Sequence, residues 1–160
     1  MVHWFSFLYL VLFLPGAGCG GSAQGPREGQ RAPAFNSVDT AGSAVAFEPA
    51  GSTPTMVVFW ASWCGPCRAE TPAVQQVARS YGSSVRLLGV NAGEDPQTAR
   101  RAMAQLGITW PVVLDVAGAV RAAYEVSSIP MVVILDKNGL VRHRNNGVPS
   151  DVHRILDGLL

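Results

Sequence analysis

Cys64 and Cys67, separated by Gly65 and Pro66, are the residues whose types and spacing most directly suggest chemistry. A thiolate attacks a disulfide whereas a thiol does not, and two intervening residues let the second sulfur reach the first. Helical periodicity follows the pair, so Cys64 should lie at a helix N-terminus, where free N–H groups and the helix dipole lower a thiol's pKa below about 8.5. We therefore expect Cys64 to be the nucleophile at the exposed edge. Cys67, one turn further in and more buried, should resolve the mixed disulfide, and Pro66 suits the first helical turn.

Zinc binding and a structural disulfide are the other uses that such a cysteine pair can have. A zinc site needs a second pair of ligands, and the remaining candidates, Cys19, His3, His143 and His153, are scattered without ligand spacing. A structural disulfide would be the same bond as the redox-active one. The sequence therefore predicts a redox pair with no bound metal and no other cofactor.

The elements that must position the cysteines alternate between strands and helices. The run Thr55–Trp60 is continuously apolar and rich in β-branched and aromatic residues, which is typical of a strand buried on both faces. After the cysteines, apolar residues recur at helical spacing up to Tyr81, and Gly82 ends this helix. The other predicted elements are strands near Phe35 and at Val45–Phe47 and Val85–Val90, a helix Pro96–Leu106 capped by Asp95, an extended piece Trp110–Leu114, a helical turn Val120–Tyr124, a hairpin of Met131–Leu135 with Leu140–Arg144, and a final helix Ser150–Leu160 with Ser150 as N-cap. This order predicts an α/β fold with a central mixed sheet flanked by helices.

The N-terminal residues have the composition of an export segment. The first 26 residues contain no Asp, Glu, Lys or Arg, and Trp4–Leu14 is an apolar run. This run is short for a membrane-spanning helix and is followed by small residues, as in a secretory signal. Those small residues lead to Cys19, which resembles the lipidated cysteine of bacterial lipoproteins.

Three interpretations of this segment place the folded domain outside the cytoplasm: a lipoprotein signal, an uncleaved short anchor and plain secretion. A buried helix of a cytosolic protein is the fourth. We predict a signal peptide, or a lipoprotein signal and membrane anchor, over residues 1–19, a flexible tether over residues 20–30 and a folded domain over residues 31–160.

The charge balance excludes one broad class of function. Twelve Lys and Arg residues stand against eleven Asp and Glu residues, for a net charge of +1. No basic surface therefore argues for nucleic-acid binding.

The segment from Phe59 to Pro72, FWASWCGPCRAETP, resembles the active-site segment of the TlpA/ResA-type extracytoplasmic thioredoxins. The likeness extends from Ala32-Pro33-Ala34-Phe35 to the last predicted helix. It implies a thioredoxin fold with an extra N-terminal β-hairpin, and the activity of a protein disulfide oxidoreductase.

The resemblance also implies roles for residues outside the cysteine pair. In the family, a cis-proline faces the cysteines and the residue before it pairs with the substrate backbone. Pro130 and Ile129 match these positions. A family glutamate at the position of Glu70 lies behind the active site and helps to move the proton of the buried cysteine, which a partly buried carboxylate of raised pKa can do. Val58 stands where cytoplasmic thioredoxins carry an aspartate. A glutamate exposed on the helix surface is the alternative for Glu70.

The substrate should meet the protein at Trp63, Gly65 and Pro66, which would form the rim of the site, although packing alone is an alternative for Trp63. The Gly-Pro dipeptide between the cysteines is that of thioredoxin, whose potential is about −270 mV against about −120 mV for the oxidant DsbA. By resemblance, we expect a reductase of exported proteins, often serving cytochrome c maturation and recharged by a membrane electron donor.

Other functions stay open at this point. The protein could act as a disulfide oxidase, an isomerase or a general reductase. A thiol peroxidase is suggested by Ala32–Phe35, but it would need a peroxidatic cysteine in another loop context. A metal or haem chaperone could use the two sulfurs without redox chemistry.

Overall fold

The computed structural model describes residues 23–160, so the predictions for residues 1–22, including lipidation of Cys19, lie outside the described residues. Within this range the strands are β1 Phe35–Asp39, β2 Ala44–Phe47, β3 Thr55–Trp60, β4 Arg86–Ala92, β5 Val112–Asp115, β6 Met131–Leu135 and β7 Val141–Asn145, and the α-helices are α1 Gly65–Tyr81, α2 Pro96–Leu106, α3 Ala119–Ala123 and α4 Val152–Asp157. The predicted order of strands and helices is confirmed.

The strands form one mixed sheet in the order β2-β1-β5-β4-β3-β6-β7. Strands β3, β4 and β5 are parallel, and β6 and β7 continue the sheet antiparallel beyond β3. The hairpin β1–β2 lies at the opposite edge, where β1 pairs antiparallel with β5. The predicted α/β fold with an extra N-terminal hairpin is therefore correct.

Strand β3 is buried on both faces, as its unbroken apolar run predicts. Met56 and Val58 face the side covered by α1, α2 and α4, whereas Val57 and Phe59 face the side covered by α3 and the N-terminal hairpin. Because β3 and β4 are parallel, their carboxyl ends lie side by side at one end of the sheet. Ligands of open α/β sheets bind at such an end, and the cysteine pair follows β3 directly.

The last helix differs from its prediction. Helix α4 spans six residues, its N-cap position is Asp151 and not Ser150, and no side chain caps it. The N–H group of Val152 donates to the carbonyl oxygen of Pro149 at 3.1 Å. Ser150 and Asp151 therefore form a turn ahead of the helix.

Residues 24–30 lie against the domain. Gly29 N–H donates to the Val141 carbonyl at 2.8 Å, and Val141 N–H donates to the Gln30 carbonyl at 2.9 Å. Arg31 forms bridges to Gln24 and Leu140. The prediction of a flexible tether over residues 20–30 does not describe this stretch, because its backbone groups pair with the start of β7. The division of the whole chain into three segments stays a prediction.

Candidate active site

The turn between β3 and α1 places Cys64 at the N-cap of the helix. Cys64 has extended backbone angles, φ −80° and ψ 102°, and its N–H group donates to the Ala61 carbonyl at 3.2 Å. Its sulfur accepts from the N–H group of Cys67 at 3.2 Å. Pro66 lies in the first helical turn, where its missing N–H group costs no hydrogen bond. The helix N-terminus therefore directs a backbone donor and its dipole at the sulfur of Cys64.

Cys64 and Cys67 are joined by a disulfide, with their Cα atoms 5.3 Å apart. The expectation that Cys64 is exposed and Cys67 more buried is wrong for this disulfide-bonded form, since the two residues are 4% and 6% exposed. The loop that ends in Pro130 lies against Cys64, and the carbonyl oxygen of Ile129 is 3.7 Å from the sulfur of Cys64. The packing of this loop explains the burial.

The peptide bond between Ile129 and Pro130 is cis, as the resemblance implied. Pro130 precedes β6, which pairs with β3, so the loop and the cysteines meet at the same edge of the sheet. The role of Ile129 in holding the substrate backbone stays a prediction.

Glu70 lies behind the cysteine pair and is half-buried. Its carboxylate accepts a hydrogen bond from the N–H group of Val148 at 3.1 Å. Glu70, Cys67, Val58 and Pro130 help to line one small cavity of about 10 Å³, which is close to the space that one water molecule needs. Glu70 and Cys67 therefore line the same small space, and apolar Val58 occupies the strand position beside them.

Trp63 is 69% exposed, in contrast to Trp60, which packs in the core at 4%. A groove of about 250 Å³ runs beside Trp63 and is lined further by Arg121, Val126, Ser127, Ser128 and Ile129. Gly65 and Pro66 are exposed at the head of α1. Of the predicted substrate-binding residues, Trp63 and Ile129 line this groove, whereas Gly65 and Pro66 do not.

Arg121 in this groove was not singled out from the sequence. Its Nε atom lies 3.3 Å from the carboxylate of Asp115, which is 2% exposed and also accepts from the N–H groups of Val120 and Arg121. Asp115 therefore caps α3 and fixes the arginine at the groove.

A buried polar cluster was also missed. The carboxylate of Glu94 accepts from the N–H group of Ser62 at 2.8 Å and from the amide of Asn91 at 2.7 Å, and the hydroxyl of Ser62 bonds to it too. The signal available in the sequence was Asn91 and Glu94, two polar residues that follow the apolar run Val85–Val90. The carboxyl end of β4 lies beside that of β3, so these residues reach the turn that carries Cys64.

Residues 23–160 contain neither a cluster of metal ligands nor a membrane-spanning helix. No group of three or more His, Cys, Asp or Glu side chains there could hold a metal ion. None of the helices in that range is long and apolar enough to cross a membrane.

The fold and the cysteine pair together define a class: this is a thioredoxin-fold thiol–disulfide oxidoreductase. The chain belongs to the Redoxin family, whose model matches residues 27–159.

Comparisons with individual proteins agree with this assignment. The chain is similar to the thioredoxin-like protein YneN of Bacillus subtilis, with 33% identity over 121 residues, or 74% of this chain and 71% of YneN. It is 32% identical to the thiol-disulfide oxidoreductase ResA of B. subtilis over 115 residues, which are 71% of this chain but 64% of ResA. The chain therefore matches less than two thirds of ResA. In fold, it resembles the thioredoxin domain of a thiol-disulfide oxidoreductase from Bacteroides vulgatus, with a TM-score of 0.75 at 20% identity over 84% of this chain and 99% of that one.

Proposed function

We propose that the protein reduces disulfide bonds of exported proteins outside the cytoplasmic membrane, using Cys64 as nucleophile and Cys67 as resolving thiol. The observation that carries this proposal is the position of Cys64. Its sulfur receives the Cys67 N–H group at the helix N-terminus, beside an open groove. A thiolate at this position is stabilised before it attacks.

The exchange proceeds in two displacements. The Cys64 thiolate attacks one sulfur of the substrate disulfide, which forms a mixed disulfide and releases the other substrate sulfur as a thiolate. Cys67 then loses its proton and attacks the sulfur of Cys64, so the second substrate thiolate leaves. The substrate gains two electrons and the protein is left with the Cys64–Cys67 disulfide, which an external reductant must open again.

Glu70 is the group that we assign to the proton of Cys67. Both residues line the same small cavity, and one water molecule there would bridge them. A carboxylate that accepts this proton when Cys67 attacks, and returns it when the disulfide is reduced, acts as a general base and then as a general acid.

The substrate lies in the groove beside Trp63. Ile129, whose carbonyl group points at the sulfur of Cys64, offers its backbone to the substrate chain. Trp63, Gly65 and Pro66 provide an exposed surface with little polar character for the segment around the target disulfide. This arrangement suits a protein substrate, whose backbone groups are available for pairing.

We place the domain outside the cytoplasm because its N-terminal residues are free of charge and lead to Cys19. In this proposal the N-terminus anchors the protein to the membrane, through a lipid on Cys19 or through the apolar segment itself. A membrane electron donor reduces the disulfide after each cycle. Haem-attachment cysteines of cytochromes c are one class of exported substrate, and general disulfide reduction is the wider alternative.

A trapping experiment in cells tests the function. In Cys67→Ala, Cys64 attacks but cannot release its target, so mixed disulfides with substrates accumulate. We expect trapped exported proteins that are absent when Cys64→Ala is used as the control. Trapped apocytochromes would support a dedicated role in haem attachment, whereas many unrelated secreted proteins would support a general reductase or isomerase.

The same experiment can overturn the proposal. If Cys67→Ala traps nothing beyond the control, disulfide exchange with proteins is wrong. Stoichiometric metal or haem binding by the reduced protein would then favour a chaperone. Peroxide consumption without added thiol proteins would favour a peroxidase.

A further inference from the structure

Glu94 is a buried carboxylate to which the exchange steps assign no role. It follows β4, is 8% exposed and accepts hydrogen bonds from Ser62 N–H, the Ser62 hydroxyl and the Asn91 amide. All three donors are neutral groups, so no cation among these contacts cancels its charge. An ionised carboxylate is an acceptor without a donor, which matches these three contacts.

The contacts of Glu94 hold the turn that carries the nucleophile. The N–H group of Cys64 closes this turn on the carbonyl of Ala61 at 3.2 Å, with Ser62 and Trp63 between them. The carboxylate of Glu94 accepts hydrogen bonds from both the backbone N–H group and the hydroxyl of Ser62. The position of Cys64 is therefore fixed from the neighbouring strand as well as from α1.

The charge of Glu94 acts on the same sulfur. A thiolate at Cys64 forms within one tight turn of a buried negative charge, and like charges in such a place favour the protonated thiol. Other charged groups near the sulfur are Arg68 on the exposed side of α1, Arg121 in the groove and Glu70 behind the pair. The helix dipole favours the thiolate, so Glu94 opposes the effect of the helix.

We propose that Glu94 is a positioning residue that fixes the turn of Cys64 and restrains the formation of the thiolate. The inference rests on the proposed function, in which Cys64 is the attacking sulfur. An oxidoreductase with a strongly stabilised reduced form is an oxidant, as in DsbA. Because Glu94 disfavours the thiolate, it makes the reduced form less stable and so keeps the cysteine pair a reductant.

The variant Glu94→Gln tests this role, because it removes the charge and keeps the shape. The Ser62 hydroxyl can rotate to accept from the new amide, so the three contacts persist. In the reduced protein, we expect iodoacetamide to alkylate Cys64 roughly threefold to tenfold faster at pH values below the pKa of the thiol. The equilibrium with glutathione should shift towards the reduced protein by a similar factor.

Asp136→Asn is the matched control. Asp136 is also buried, at 7% exposed, and accepts from the N–H groups of Asn138 and Leu140 and from the guanidinium of Arg142 at 2.8 Å, but it follows β6 at the far end of the sheet. Its loss should leave the alkylation profile of Cys64 unchanged. An unchanged profile in Glu94→Gln, with a thermal transition showing that the variant is folded, would overturn the proposal.

A second measurement needs no change at Glu94. The negative charge that forms at Cys64 acts on Glu94 in turn, so its electric field should shift the carboxyl carbon resonance of Glu94. We expect a step in this resonance at the pKa of the thiol in reduced wild-type protein, and no such step in Cys64→Ser. A wild-type resonance without the step would refute the coupling. Both measurements use the purified protein, so failure to trap a substrate in cells would refute the proposed function without affecting them.

Discussion

At the scale of single residues, the backbone conformation of Gly147 makes room for the carboxylate of Glu70. Gly147 has φ +94°, in the region that favours glycine, and a Cβ atom added there would collide with the carboxylate of Glu70. The next residue, Val148, donates its N–H group to the same carboxylate. The loop after β7 therefore fits around Glu70 and holds it towards the cavity beside Cys67.

We expect Gly147→Ala to slow disulfide reduction at neutral pH by at least tenfold, as Glu70→Gln should, because the added methyl group displaces the carboxylate. The measurement is the rate of reduction of a protein disulfide between pH 5 and pH 9. Gly42→Ala is the control, since Gly42 has φ +89° with nothing within 4 Å of an added Cβ atom. Both variants carry the same backbone strain of about 1 kcal/mol or more. Equal rates in the two glycine variants would contradict the role given to Glu70.

The position of the cysteine pair at a helix start could be predicted from the sequence, but the contacts that hold the surrounding residues could not. Cys64 and Cys67 could be identified because their chemistry depends on a spacing of three residues and on the adjacent helix start. The bond between Glu70 and Val148 joins residues 78 positions apart, and that between Glu94 and Ser62 spans 32 positions. No local pattern encodes such contacts, since they depend on which strand ends meet at the edge of the sheet.

At the scale of elements, the C-terminal end of α1 is fixed to α4 through one tyrosine. The hydroxyl of Tyr81 donates to the carboxylate of Asp157 at 2.8 Å and lies 3.0 Å from the carbonyl oxygen of His153. The ring of Tyr81 also stacks on that of His153. Burial, the hydrogen bond to Asp157 and the charge of Asp157 raise the pKa of Tyr81 to about 12.

The raised pKa of Tyr81 predicts a loss of stability in alkali. The folded protein keeps the phenol proton between about pH 10 and about pH 12, whereas the unfolded chain releases it near pH 10. Its contribution is therefore complete below about pH 10 and disappears as the pH rises through about 12. Tyr81→Phe should be less stable at pH 7, by about 1 kcal/mol for the lost hydrogen bonds, and its stability should fall less steeply above pH 10. Urea unfolding at pH 7, 10 and 11 checks this, and parallel slopes for the two proteins would contradict it.

Most elements could be predicted because their patterns are local. Helix α2 begins where Asp95 accepts from the N–H groups of Gln97 and Thr98, and it ends at Gly107 in a left-handed conformation. Those two signals lie in the sequence. Helix α4 lacks a side-chain cap, so the choice between Ser150 and Asp151 depended on a turn that the sequence does not specify.

At the scale of the whole molecule, an aromatic cluster links the N-terminal hairpin, at one edge of the sheet, to the central strand β3 through Tyr124. Phe35 stacks on Phe47 with ring centroids 4.8 Å apart, and Phe59 of the central strand lies 5.5 Å from Tyr124. The hydroxyl of Tyr124 donates to the carbonyl of Pro33 at 2.7 Å. Burial raises the pKa of Tyr124, so the phenol stays neutral and keeps this bond at ordinary pH.

Truncation of Phe59 should damage the whole fold and not only its own strand. Phe59→Ala removes a fully buried ring, and we expect it to lower the free energy of unfolding by about 3–5 kcal/mol. Trp63→Ala removes an aromatic ring of which 69% is exposed, so its stability should lie within about 0.5 kcal/mol of the wild type. Urea unfolding measures both. Similar losses in the two variants would contradict the central place given to Phe59 in the core.

The burial of β3 on both faces could be predicted from the sequence, but the pairing of residues 24–31 with Leu140 and Val141 could not. Residues 24–30 are rich in small and polar residues, which is typical of a linker, and they gain order from pairing with a strand more than 100 positions away. Composition therefore described the segment without revealing its partner.

This pairing also determines at which end of the sheet residue 23 lies. Ala23 lies beside Arg31, and Arg31 bridges to Leu140. The next residue, Val141, pairs with Leu135 at the end of β6. Leu135 in turn pairs with Thr55 at the start of β3. Cys64 follows the other end of β3, so the chain enters the domain at the pole opposite the dithiol. A bead, an electrode or a fluorescent protein coupled ahead of residue 23 would leave the reactive sulfurs pointing outward. Immobilised in this orientation, the protein would present its cysteine pair to the solution as a solid-phase reagent for thiol–disulfide exchange.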